Sequence, residues 1–274
     1  MRTPLILFTF VMGFSSAALG QPNCNVYLYQ GDTTCYEACK LAVRGGGRQG
    51  SQWSQEKFAA AFEQCPQLDY AIFEQAVPYL KRGDMVTWKK MIDQAVAINP
   101  MHLGYRGWCR FQFARDYDGC IADLTALEEY YQGGDIGYSV NGSYHLKVAM
   151  ALCYKMKGNR PKAIALIEAQ LAKKDYSPMA NDYLHLGVMY LEQGQYTKAT
   201  TALEKSIELN DFLAENYYYL GLVYKARNQR QAYQDTMRTA LAYYAQGKHL
   251  YDDYSHPIDR IYRAQIEEEL ASFQ

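Results

Sequence analysis

Four cysteines stand close together near the start of the chain: Cys24, Cys35, Cys39 and Cys65. Thiols placed this way can cross-link, ligate a metal, or simply bury as small hydrophobes. Cys35 and Cys39 are four apart, which stacks them on one face of a helix, and Cys65 can approach from a second helix. A zinc site would want a CxxC pair or a nearby His, and neither is present. Haem attachment would need CxxCH, which is absent. The favoured chemistry is a disulfide knot among Cys24, Cys35, Cys39 and Cys65, with plain burial as the alternative. Cys109, Cys120 and Cys153 follow later, and the total of 7 leaves at least one thiol unpaired.

Catalytic chemistry finds little support. The histidines His102, His145, His185, His249 and His256 form no HExxH or other close metal pair. His185 reads as a packing or surface residue. The run GGGRQGS at 45–51 lacks the residue order of a phosphate loop, and there is no GxSxG elbow. Asp252-Asp253 and Glu128-Glu129 are sequence neighbours that point in different directions on a helix. No catalytic residue, metal site or cofactor is expected. Asn141-Gly142-Ser143 fits a glycosylation sequon.

Arg2 followed by the apolar run Leu5–Ala18, with small residues Ala18 and Gly20 before Gln21, reads as a secretory signal peptide over 1–20. The run is shorter than the ~20 residues of a spanning helix. Asn23 and Gln21 do not fit a lipid-attachment box at Cys24. The mature protein is therefore expected outside the cytoplasm, periplasmic or secreted, without membrane insertion, in a compartment where cysteines pair. With 28 Lys+Arg against 29 Asp+Glu, the chain has no basic excess to neutralise phosphates, so nucleic acid is not an expected partner.

The elements that carry these residues are read from an internal repeat. Tyr183 and Tyr217, Leu186 and Leu220, Gly187 and Gly221, and Tyr190 and Tyr224 are each 34 apart, as are Pro66 and Pro100. Apolar residues recur at helical spacing, as in Ala199, Ala202, Leu203 and Ile207, and no convincing period-two run occurs. The pattern resembles the tetratricopeptide repeat (TPR) family. That resemblance implies an all-α, right-handed superhelical solenoid of about six helix-turn-helix repeats. They are expected at 35–68, 69–102, 103–136, 144–177, 180–213 and 214–247, after an N-terminal extension at 21–34. A C-terminal capping helix is expected within 248–274, its amphipathic pattern starting at Ile258. Some residues depart from the family pattern. Trp88 and Tyr233 sit where the family places Ala, so those helix pairs must splay or repack. Pro78 should kink a first helix. Gly45-Gly46-Gly47 weakens the first repeat, and one extra residue precedes Asp116. Gly133-Gly134-Asp135-Ile136-Gly137 reads as a loop between repeats.

In the family, certain first-helix positions face a concave groove. Carried onto this chain, they give Tyr70, Phe73 and Lys81, then Arg106 and Arg110, then His145 and Lys155, then Glu192, and finally Glu215, Tyr218 and Lys225. Aromatic area with scattered cations suits an extended peptide or a partner helix. The paired-cation set of the family's carboxylate clamp is absent. The expected function is a non-catalytic exported scaffold binding a protein or peptide partner. The alternatives are a structural or oligomerising envelope component, or a regulatory partner of an enzyme.

Overall fold

The computed structural model describes residues 21–272. The leader read over 1–20 lies outside the described residues, as does Phe273. The regular structure of the described residues is all helical apart from one isolated antiparallel bridge between Tyr138 and His145. It divides into two compact units, one through Ile98 and one from Asn99 onward.

The first unit holds α1 (Asn25–Tyr29), α2 (Thr33–Gly45), α3 (Gln52–Gln64), α4 (Asp69–Lys81) and α5 (Met85–Ile98). Asp32 caps α2 by accepting from the Cys35 amide at 2.8 Å, and Ser51 caps α3. The core gathers Cys35, Ala38, Cys39 and Ala42 from α2 against Phe58 and Ala61 from α3, with Cys65, Leu68 and Ala71. Gly45 earns its place by proximity: a Cβ there would sit 3.2 Å from Lys57 Cβ and 3.3 Å from the Phe58 ring. The Ser54 hydroxyl uses the same approach to donate to the Gly45 carbonyl at 2.5 Å. Pro78 removes one backbone donor, yet α4 continues through it. Trp88 is accommodated by burial, with its indole nitrogen unbonded.

The second unit holds α6 (Leu103–Cys109), α7 (Tyr117–Tyr130), α8 (Leu146–Met156), α9 (Arg160–Leu171), α10 (Ala180–Glu192), α11 (Tyr196–Leu209), α12 (Ala214–Ala226), α13 (Arg230–Ala245) and α14 (Arg263–Ala271). The extra residue before Asp116 is absorbed as a wide π turn, Arg110–Ala114, appended to α6. The turn closes with the Asp116 amide on the Arg110 carbonyl at 2.9 Å, and Arg115 takes a left-handed φ of 53°. Gly187 and Gly221 sit where helices touch: a Cβ would lie 2.7 Å from Leu203 Cγ and 2.9 Å from Met237 Cε, respectively. Tyr233 repacks rather than forcing α12 and α13 apart. Its ring is buried and its hydroxyl donates to the Glu269 carbonyl at 2.6 Å, tying α13 to α14.

The C-terminal helix begins later than the pattern from Ile258 implies. Residues 248–262 form an irregular strap between α13 and α14. Two causes are visible. Pro257 disfavours helical geometry in the residue before it, and Asp259 holds a left-handed φ of 62°. The strap's amides also find partners outside any helix, as the next section describes.

Candidate functional site

The cysteine chemistry resolves first. Cys24 pairs with Cys39 and Cys35 with Cys65, so the α2 cysteines reach in two directions, to the segment before α1 and to the end of α3. Cys109, Cys120 and Cys153 are buried free thiols. Burial pushes the Cys109 thiol well up, which suppresses the reactive thiolate. Among the described residues no group of His, Cys, Asp and Glu is arranged to hold a metal ion, and no helix is long and apolar enough to cross a membrane.

Polar side chains converge instead on the strap. In the second unit α8, α10 and α12, the first helices of their pairs, and the π turn after α6 each send side chains to it. Glu215 on α12 is fully buried, and its carboxylate accepts from the Leu250 amide at 3.1 Å and the Ile261 amide at 3.3 Å. Burial raises its pKa, while those amides oppose the rise. One helix residue along the strap path, the Ala214 amide donates to the Lys248 carbonyl at 2.9 Å. The Tyr219 hydroxyl donates to the Asp259 carbonyl at 3.1 Å. At the other end, Gln112 in the π turn donates to Ser255 Oγ at 2.6 Å, and Arg115 donates to the His256 carbonyl.

Asp259 is the anchor. Its side chain is 8% exposed and accepts from Lys155 Nζ at 2.5 Å and from His185 Nδ1 at 2.7 Å. Burial opposes its charge, but His185 and Lys155 outweigh burial and hold the carboxyl below its ordinary range. A carboxylate can only accept, so His185 Nδ1 carries a proton. In the neutral ring, Nε2 then accepts from the Tyr144 hydroxyl at 3.0 Å. Burial pushes Tyr144 up, which keeps that hydroxyl protonated as a donor. Trp108 and Phe111 pack on Tyr144, so the polar chain rests on an aromatic floor. Beside Asp259 lies a cleft of about 420 Å³ whose walls include Lys155, Arg160, Glu192 and Pro257.

The residues expected to line a groove are spread over different environments. On α4, Tyr70 and Phe73 are half-buried and Lys81 is exposed. Tyr70 packs on the disulfide core, and burial together with Glu74 pushes its phenol up to about 12. Arg106 and Arg110 both reach Asp123 of α7, at 2.6 and 3.1 Å. His145 is the buried N-cap of α8. Its Nδ1 accepts from the Lys147 amide, so Nε2 donates to Asp135 at 2.7 Å. Lys155 and Glu192 meet at 3.3 Å at the edge of the Asp259 site. Tyr218 is 7% exposed and belongs to the core cluster with Tyr233, Ile261 and Ile266. Lys225 pairs with Glu269 of α14 at 2.6 Å. Of the expected set, Arg106 and Arg110 converge on Asp123, and Lys155 meets Glu192. Glu215, carried over from the family register, joins them on the strap. Asp259, His185, Tyr144 and Tyr219 are functional neighbours that the repeat register did not single out.

No protein-family model matches the sequence, and no curated protein matches it. Solved structures do match. The chain is similar to PilW, a type IV pilus biogenesis factor, at 15% identity and TM-score 0.61, covering 81% of this chain and 96% of that one. It is similar to the C-terminal part of a TPR repeat-containing protein from Cytophaga hutchinsonii at 16% identity and TM-score 0.56, covering 78% and 80% of the two chains. It is also similar to a chain of the APC/C hetero-tetramer Cut9-Hcn1 at 16% identity and TM-score 0.56, where the match covers 90% of this chain but 42% of that one. The similarity to these structures is one of fold: paired helices stacked as in tetratricopeptide-repeat structures.

Proposed function

We propose that this chain is a non-catalytic, exported scaffold that binds a protein or peptide partner along the first-helix faces of its repeats. The observation that carries this reading is the strap. A non-helical segment of chain is held on α8, α10 and α12 by side chains that bond its backbone (Glu215, Tyr219) and its one buried carboxylate (Lys155, His185). A surface that satisfies both the backbone and the carboxylate of a non-helical segment has the chemistry that peptide recognition requires. In the first unit, Tyr70, Phe73 and Lys81 on α4 offer aromatic area and a cation as a second patch of the same kind. Export is supported by the leader pattern over 1–20 and by the two cysteine pairs, which suit an oxidising compartment.

Site-specific photocrosslinking in a cell-envelope extract tests this. A photoreactive phenylalanine is placed in the 21–274 chain at Phe73 or Met156 on first helices, or at Thr201 on the second helix α11. The reading expects a discrete protein adduct at Met156 or Phe73 and none at Thr201. No adduct at either first-helix position, or equal capture at Thr201, overturns it.

A further inference from the structure

The strap is more than a linker between two helices. It spans residues 248–262, and the helices on either side tether both its ends. Tyr251 and Tyr254 are 65% and 62% exposed, while Leu250 and Ile261 are buried and Ile261 joins the core. Polar bonds add to this apolar anchoring, and two of them converge on one aspartate. Lys155 and His185 each direct a proton into the same small space, and Asp259 supplies the carboxylate that fills it. Were Asp259 to leave, a buried ammonium and a buried imidazole N–H would lose their main acceptor, which is costly unless another carboxylate replaces it. The cleft of about 420 Å³ next to Asp259, walled by Lys155 and Arg160, gives such a carboxylate an approach without prior unfolding of the helices.

From this we infer that the strap is a tethered stand-in for the partner, and that the partner is an acidic peptide placing an aspartate side chain between Lys155 and His185. The inference rests on the reading of the first-helix face as a partner surface and adds the chemistry of its ligand and the means of its control. A tethered segment competes at an effective concentration in the millimolar range, so it suppresses weak ligands and yields to a better acidic one. Glu215 closes the strap into a loop by holding the Leu250 and Ile261 amides together, and Tyr219 holds the Asp259 carbonyl, so these bonds follow backbone shape rather than side-chain identity. The Lys155–His185 site recognises the aspartate.

The test uses a fluorescein-labelled synthetic peptide with the sequence of residues 249–262, and a second peptide carrying Asn in place of Asp259. Each is titrated by anisotropy into the 21–274 chain, as wild type, as Asp259→Asn and as Ser255→Ala, with circular dichroism confirming the fold. The wild type should bind weakly, because its own strap holds the site. The Asp259→Asn chain should bind the aspartate peptide about tenfold more tightly than wild type does, and should lose about tenfold with the Asn peptide. Should Asp259→Asn fail to fold, Ser255→Ala removes the strap's own bond to Gln112, which the peptide keeps, and decides the matter with a gain of about threefold. No gain in the folded variants, or equal binding of the two peptides, overturns the proposal and leaves the strap as a structural cap. An adduct at Met156 in a chain whose strap shows no such gain would spare the partner surface and remove only its tethered stand-in. Peptide binding without any adduct would do the reverse.

Discussion

His185 Nδ1 and Asp259 Oδ2 are 2.7 Å apart although 74 positions separate the two residues in the chain. The bond joins the middle of α10 to the strap, and Tyr144 extends it by a second bond to the other ring nitrogen. One imidazole thereby connects two repeats and the strap.

Replacing His185 with Ala should therefore cost more than a typical surface change. It strips Asp259 of one donor and leaves the buried Tyr144 hydroxyl without an acceptor, for an expected loss of about 2–4 kcal/mol. Urea unfolding followed by circular dichroism measures it, and a loss within about 0.5 kcal/mol would show that the chain of bonds is dispensable.

Acid should weaken the same anchor. The folded state holds Asp259 below its ordinary value of 3.8. A depressed acid stabilises the fold fully above that ordinary value and loses the contribution as pH falls through the folded value. The groups that face it are Lys155, His185 and Tyr219. The stability difference between wild type and Asp259→Asn should be constant at neutral pH and shrink steadily below about pH 4. A difference that grows on acidification would contradict the assignment.

Gly187→Ala should destabilise, even though Ala is the better helix former by about 1 kcal/mol. The new Cβ would fall 2.7 Å from Leu203 Cγ and 2.9 Å from its Cδ2, so α10 and α11 must separate or Leu203 must leave its rotamer. The expected net loss is about 1–3 kcal/mol, read as a lowered melting temperature. A neutral or raised melting temperature would mean that the two helices have slack.

A peptide map without reduction should find Cys24 linked to Cys39 and Cys35 to Cys65, with Cys109, Cys120 and Cys153 alkylated only after unfolding. Reduction should loosen the first unit by about 2–4 kcal/mol per bridge, seen as faster amide exchange in α2 and α3. Linkage of Cys35 to Cys39, or ready alkylation of Cys120 in the native chain, would refute the arrangement.

The repeats were legible because their cause is local. Gly187 and Gly221 mark close helix contacts, and the aromatic residues around them fill the space within one pair, so the spacing itself records the packing. The extra residue before Asp116 could also be counted, though not its outcome as a π turn, because either a loop or a wide turn can absorb one residue. Tyr218 was misjudged by register alone. Its position faces outward in a repeat with nothing across from it, and here Ile261 and α14 cover it. Asp259 carried no signal of its own, since its partners Lys155 and His185 are 104 and 74 residues away. Pro257 and the polar run before it could have warned that a helix would not occupy that stretch.

Arrays of stacked helix pairs ordinarily behave as one-dimensional chains, in which each pair senses only its neighbours and the ends fray first. The strap breaks that rule in the second unit. It bonds the π turn through Gln112, α8 through Lys155, α10 through His185 and α12 through Glu215, so it bypasses the sequential order of the pairs. Opening the last pair must release bonds to earlier ones. The unit should thus lose amide protection in α8 and α12 together, as a single cooperative block rather than from its C-terminal end inward.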